Sequence, residues 1–299
     1  MPARSRVLTL LLLPSLLLLA CGDDATDEAS PTGSAVESGV TVSTDTSAAP
    51  EVEIPDGDPP AELVVEQVVA GDGEPVQAGD LLVADYTGLL WDNGEEFDSS
   101  WERGEPTAFG IGVGQVIAGW DQGLVGQDVG SRVLLVIPSD LAYGDDGSPG
   151  GIPGGATLVF AVDIRDTFGS RGDLSGTAVD DLPAGLPVVG GVVGTEPSVD
   201  VTDADEPAES TSVVVVEGAG DPLEGDTVVA HAVQVSFDTG EVTYTSWGQA
   251  PEQLPREALP GLSEALEGAA VGTRVVSLIA ADDNSGEALV LVLDVLGAF

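Results

Sequence analysis

Lysine is missing from this chain altogether, and Cys, His and Met occur once each in 299 residues. Eight Arg side chains face 52 Asp and Glu, which leaves a net charge of −44. Binding to a polyanion requires cationic patches that displace its counterions, so nucleic acid is excluded as a partner. Attraction to an anionic bilayer is excluded by the same balance. The acidity fits solubility and self-repulsion outside the cell, or a docking surface for basic clients. With Cys21 as its one cysteine the chain forms no internal disulfide, so the fold rests on its core. Aromatic residues are also few, at 4% of the chain.

What is present begins with a leader. Arg4 and Arg6 precede an apolar run from Val7 to Ala20, broken only by Thr9, Pro14 and Ser15 and ending at Leu18-Leu19-Ala20-Cys21. The run has the form of a secretory signal and is short for a membrane span. The small residue before Cys21 suits cleavage by a lipoprotein signal peptidase, so residues 1–20 are expected to be removed and Cys21 lipidated. Two acyl chains on one Cys suffice for stable anchoring. The expected location is extracytoplasmic, on the cell membrane, with contact only through the N-terminal lipid.

Composition divides the rest. Residues 21–61 are Asp, Thr, Ser, Ala, Pro and Gly with scarcely an apolar cluster, the signature of a disordered acidic stalk. Forty such residues as a coil span about 35 Å. Residues 62–167 are patterned, residues 168–207 return to a Gly/Pro/Asp-rich flexible linker, and residues 208–299 are patterned again. Each patterned block has the size of one domain.

In the first block, Leu63 to Val69, Leu81 to Tyr86, Val133 to Ile137 and Leu158 to Ile164 are short β-rich runs with a period of two. Asp92-Asn93-Gly94 predicts a two-residue hairpin loop. A helix from Ala118 to about Gly126 would place Trp120 and Leu124 on one face. The expected fold class is α+β, an antiparallel sheet wrapped over a short helix. Five aromatic residues and a carboxylate punctuate this block: Tyr86 in Asp85-Tyr86-Thr87-Gly88, Phe97 and Asp98 in Phe97-Asp98-Ser99-Ser100, Trp120 after Val116-Ile117, Tyr143 in Ala142-Tyr143-Gly144, and Phe160.

Taken together these strings resemble the FKBP-type peptidyl-prolyl cis-trans isomerases, from Gly71-Asp72-Gly73 through Asp163. The resemblance implies an aromatic proline pocket walled by Tyr86, Phe97, Trp120 and Phe160, with Trp120 as its floor and Phe109 among the substrate-binding residues. It implies that Val116 and Ile117 form the edge that hydrogen-bonds substrate or macrolide backbone, and that the Tyr143 hydroxyl holds a substrate carbonyl. Asp98 corresponds to the pocket carboxylate, Arg103 to its neighbouring cation and Ile152 to an apolar contact of the flap loop. Thr107, Ser148 and Gly151 depart from residues common in the family, so a more polar and open rim is expected. The family needs neither cofactor nor metal; its partners are proline-containing unfolded or exported polypeptides, and macrolide inhibitors.

The chemistry suits those residue types. An X-Pro amide isomerises over a barrier of about 18–20 kcal/mol because twisting breaks C–N resonance. The twisted amide has less charge separation, so a dry aromatic cavity favours it, and hydrogen bonds to flanking carbonyls hold the chain meanwhile. A thousandfold acceleration needs only about 4 kcal/mol.

The second block repeats the first. Gly225 to Ala230 repeats Gly79 to Ala84 and Ser246-Trp247 repeats Ser100-Trp101; Val271 to Val276 repeats Val129 to Leu134, and Leu289 to Val295 repeats Leu158 to Ile164. Tyr86, Phe97, Asp98, Trp120 and Phe160 become Ala232, Thr243, Tyr244, Leu262 and Leu291. Residues 208–299 are therefore expected to be a degenerate FKBP-like domain, with Leu259, Leu262 and Leu266 on the apolar face of a short helix. His231 falls on an alternating strand and is expected to be exposed. Arg171-Gly172-Asp173 is an adhesion-like tripeptide of common residues, and Gly110 to Gly114 lacks the context of a dinucleotide loop. The leading expectation is an isomerase that assists folding of exported proteins; the alternatives are a non-catalytic peptide- or protein-binding surface lipoprotein and an acidic spacer.

Overall fold

Val133 to Ile137 and Leu158 to Val162 are apolar at every position, and every one of these residues is buried. A strand with one wet face alternates, whereas a strand with two covered faces does not. The computed structural model, which describes residues 38–169, 174–284 and 286–299, accordingly has a sheet covered on both faces rather than on one. The leader with Cys21, residues 22–37 and the Arg171-Gly172-Asp173 tripeptide lie outside the described residues.

The first sheet has the order β3-β7-β8-β4-β5, built from β3 (Val64–Val69), β4 (Leu81–Leu90), β5 (Glu96–Ser99), β7 (Arg132–Ile137) and β8 (Leu158–Phe168), all antiparallel; β6 (Thr107–Gly110) also pairs with β4. Helix α1 (Ser100–Arg103) follows β5, and α2 (Ala118–Leu124) lies across the inner face. Trp120 and Leu124 are both buried there, as their four-residue spacing predicts. Gly119 lets the helix approach closely, since a Cβ there would stand 2.4 Å from Ile137. The hairpin between β4 and β5 is present but longer than expected: residues 91–95 form the connection, and Gly94 at φ 67° donates to the Leu90 carbonyl.

The outer face is covered by a segment expected to be stalk. Strands β1 (Thr41–Val42) and β2 (Val52–Glu53) form a hairpin whose Val40 and Val42 are buried with Trp91, Leu134, Val136, Val159 and Ala161. Full burial of such a side chain is worth about 1.5–3 kcal/mol. A buried ion pair reinforces it. Arg132 grips Asp163 with two hydrogen bonds of 2.6 and 2.7 Å, then donates to the carbonyls of Ser43 and Ala48 at 2.9 Å. Residues 38–61 are thus part of the fold, and disorder of the stalk is corrected for that stretch.

The remaining chain repeats this plan. After β9 (Gly176–Ala178), strands β10 (Val188–Gly190) and β11 (Ser198–Asp200) form a second hairpin; then come β12 (Thr211–Gly218), β13 (Thr227–Ser236), β14 (Val242–Thr245), β15 (Glu252–Pro255), α3 (Leu262–Ala265), β16 (Arg274–Ile279) and β17 (Leu289–Ala298). The order β12-β16-β17-β13-β14, with β15 also on β13, matches that of the first sheet, and β9 extends its edge beyond β12. Arg274 grips Asp294 and donates to the carbonyls of Gly191 and Val192 in the hairpin connection, just as Arg132 does. The two hairpins even share register. Thr41 pairs with Glu53 and Val42 with Val52, while Val188 pairs with Asp200 and Val189 with Val199. The linker assignment for 168–207 is therefore corrected too: among its described residues, β9 is an edge strand and β10–β11 is a cap.

His231 is a further correction. It is 3% exposed, hydrogen-bonded through Nδ1 to Ser246 Oγ at 2.9 Å and stacked on Trp247 at 4.3 Å. It occupies the place of Asp85, which accepts a hydrogen bond from Ser100 Oγ at 2.8 Å and pairs with Arg165. In both halves the serine also accepts the next main-chain N–H, that of Tyr86 or Ala232, at 2.9 Å.

Two outcomes are expected. Arg132→Met leaves Asp163 buried without its partner, which should cost about 3–5 kcal/mol in urea unfolding and expose residues 38–58 to protease. Burial lowers the pKa of His231 below its ordinary value, against weaker opposing contributions from Asp294 and Glu252. The unfolded chain then binds the extra proton first, so stability is full above the ordinary His pKa and falls as pH drops through the folded one. The melting temperature should therefore fall more between pH 7.5 and 5.5 for the wild type than for His231→Asn.

Candidate functional site

Strand β4 turns Tyr86 and Gly88 toward the inner face, and β8 brings Phe160 directly opposite Gly88. A Cβ on Gly88 would stand 2.7 Å from Phe160 and 2.8 Å from Phe97, so the missing side chain is what lets the two rings converge. Their centroids lie 5.5 Å apart at 89°. Trp120, projected from α2, meets Phe160 edge-on at 5.1 Å, Tyr86 at 5.3 Å and Phe109 at 4.9 Å. These edge-to-face contacts are the arrangement that ring quadrupoles favour.

The rings enclose a cavity of about 590 Å³. Tyr86, Phe97, Asp98, Phe109, Val116, Ile117, Trp120, Tyr143 and Phe160, all expected from the sequence, line it, with Tyr143 41% exposed at the mouth. Two expected residues stand behind the lining. Ile152 packs into the same apolar cluster as Tyr86, Trp120 and Phe160, and Arg103 acts from behind Asp98. Gln115, Ala118, Ala142 and Thr107 complete the lining. Of these, Gln115 and Ala118 flank the Val116-Ile117 pair, which was the available signal for them.

One wall is polar. Tyr86 Oη donates to Asp98 Oδ2 at 2.5 Å and accepts from Arg103 at 3.1 Å; Arg103 also pairs with Asp98 and donates to Thr107 Oγ1 at 2.9 Å. Burial, followed by the hydrogen bond to Asp98, raises the Tyr86 pKa, so its hydroxyl stays protonated. The Arg103 guanidinium also lies 5.4 Å from the Tyr86 ring centre. No sequence motif pointed to Asp121. Its two carboxylate oxygens accept from the main-chain N–H groups of Gly112 and Gly114 at 2.6 and 2.8 Å, which pins the glycine run leading into Val116 and Ile117.

Among the described residues, the corresponding positions of the second sheet carry no such cluster of rings. Gly88 is matched by Gln234, whose side chain donates to Thr243 at 2.9 Å, and Leu262 takes the place of Trp120 in the core. Tyr244 donates instead to Glu252, and burial with that carboxylate pushes its pKa up to about 12.

A cavity of this kind has no nucleophile poised for covalent work. It can exclude water from a small apolar ring and hold neighbouring amides from its polar wall and Val116-Ile117 edge. Residues 72–165 match the family model described as FKBP-type peptidyl-prolyl cis-trans isomerase. The chain is 51% identical over 116 residues to an FK506-binding protein of Streptomyces anulatus, covering 38% of this chain and 94% of that one. It is 52% identical over 106 residues to FK506-binding protein 1 of Debaryomyces hansenii, covering 35% and 94%. It is 54% identical over 88 residues to the peptidyl-prolyl cis-trans isomerase FPR2 of Saccharomyces cerevisiae, covering 29% of this chain and 65% of the relative. With that match to almost the full length of two relatives, the ring-lined cavity on β4, β8 and α2 sits in a chain that belongs to the FKBP-type peptidyl-prolyl cis-trans isomerase family.

Proposed function

We propose that the isomerase works in the cavity over Trp120, on exported polypeptides, and that residues from about 176 to the C-terminus are a degenerate FKBP-like domain without a site of its own. The observation that carries this reading is the comparison between the halves. The same strand order is built around Leu262, Leu291 and Ala232, so packing alone does not require Trp120, Phe160 and Tyr86. Trp120 even carries a disadvantage that leucine lacks. Its buried indole N–H has no hydrogen-bond partner among the described residues, a deficit of about 1–3 kcal/mol.

In this reading the proline ring enters between Phe97, Phe160 and Trp120 and sheds water from its amide, which favours the less polar twisted state. The Val116-Ile117 edge and Tyr143 hold flanking carbonyls while the amide rotates. Asp98 is locked by Tyr86 and Arg103 and sets the shape of the wall. Thr107 on the rim, in contact with Arg103, gives a polar approach that favours peptides over macrolides. Cys21 carries the lipid, consistent with a leader that ends in Leu-Leu-Ala-Cys. Unassisted proline steps take tens to hundreds of seconds, slow enough to limit folding of an exported chain.

Trp120→Leu, which installs the residue found in the second half, should lower kcat/KM on a proline peptide by about tenfold or more, equivalent to about 1.4 kcal/mol or more of lost differential binding. Unchanged kcat/KM in a folded Trp120→Leu protein removes the cavity as the site. A mass measurement on the mature N-terminus should show two or three acyl chains on Cys21; an unmodified Cys21 rejects the lipid anchor.

A further inference from the structure

The two halves meet through counterpart residues. Leu81, Val83 and Phe168 from the first share one apolar cluster with Val229 and Leu296 from the second, with Ala108, Leu174 and Phe299 packed against it. Phe168 ends β8 and Phe299 follows β17, and the two rings stack on each other at 6.1 Å and 24°. Val83 and Val229 are equivalent positions of β4 and β13. Gln253 on β15 donates to the carbonyl of Ala108, its equivalent on β6, at 3.4 Å. Such a self-matched contact is the pattern of a twofold dimer, here within one chain.

Strand β6 is the element that matters, because it belongs to the cavity. It carries Thr107, which holds Arg103, and Phe109, which lies 4.9 Å from Trp120. At its end Gly110 lies so close to the second half that a Cβ there would stand 2.6 Å from Ala250, a buried residue, and 2.5 Å from the Gln115 side chain on the rim. One edge of β6 is held by β4, and its Ala108 carbonyl and Gly110 are held by residues 250–253.

We propose that the second half acts as a positioning element for the first, with Ala250, Gln253 and the Phe168–Phe299 stack holding β6 so that Phe109 and Thr107 stand in binding geometry. The proposal rests on the cavity being the prolyl site. Ground-state and transition-state binding share this wall, so loosening it raises KM and leaves kcat nearly unchanged. A purely structural role would instead reduce the amount of folded enzyme, which lowers the apparent kcat at constant KM.

The experiment uses the full chain with Gln253→Ala, Phe299→Asp and the Leu296→Asp/Phe299→Asp double variant, assayed for isomerisation of a proline peptide. Val188→Asp, on an exposed site of the second hairpin, is the control. The expected result is a graded rise in KM, reaching about tenfold in the double variant, with kcat within about twofold. Equal KM in wild type, Gln253→Ala and Phe299→Asp overturns the proposal, as does a loss confined to kcat. Trp120→Leu in the same assay separates the two ideas: full activity there defeats the site assignment itself, whereas loss there with unaltered interface variants defeats only the positioning role.

Discussion

The ten-rung pairing of β4 with β8 is the constraint on which the first half depends. Its register sets Phe160 against Gly88 on the inner face, where the cavity forms. The same strand places Asp163 on the outer face beneath Arg132, which fixes the N-terminal hairpin, and ends in Phe168, which stacks on Phe299. A slip of one residue would exchange the faces and lose all three at once.

The twin ladder of β13 and β17 retains the parts of this plan that hold a fold together. Arg274 and Asp294 repeat the buried pair, and Ser246 repeats the hydrogen bond of Ser100 to the main chain. It differs on the inner face near α3, where Gln234 fills the place of Gly88 and leucines stand where the first half has rings, and at His231, which replaces the Asp85–Arg165 pair. A buried ion pair is costly to form and costlier to break singly, so a pair present in both halves is hard to lose by one mutation.

Much of the candidate site was legible through the strings that resemble the FKBP family: Tyr86, Phe97, Asp98, Trp120 and Phe160 all line one cavity. The hairpins were not legible, because residues 40–54 hold only a few apolar side chains among Thr, Ser, Pro and Glu, and composition alone resembles a tether. The signals that do reveal them are recurrence and saturation. Pro50-Glu51-Val52-Glu53-Ile54 returns as Pro197-Ser198-Val199-Asp200-Val201, and the unbroken apolar runs of β7 and β8 demand a cover on both faces. His231 was misjudged for the same reason, since an outward strand position is wet only if nothing lies over it.

The most direct test of the account is an NMR titration of the labelled full chain with a short proline peptide. Shifts confined to the resonances of Tyr86, Phe97, Phe109, Trp120 and Phe160, with the indole N–H of Trp120 among the largest and Leu262 and Leu291 unmoved, are the predicted result. Peptide-induced shifts centred on Leu262 and Leu291, or none around Trp120 at saturating peptide, would contradict it.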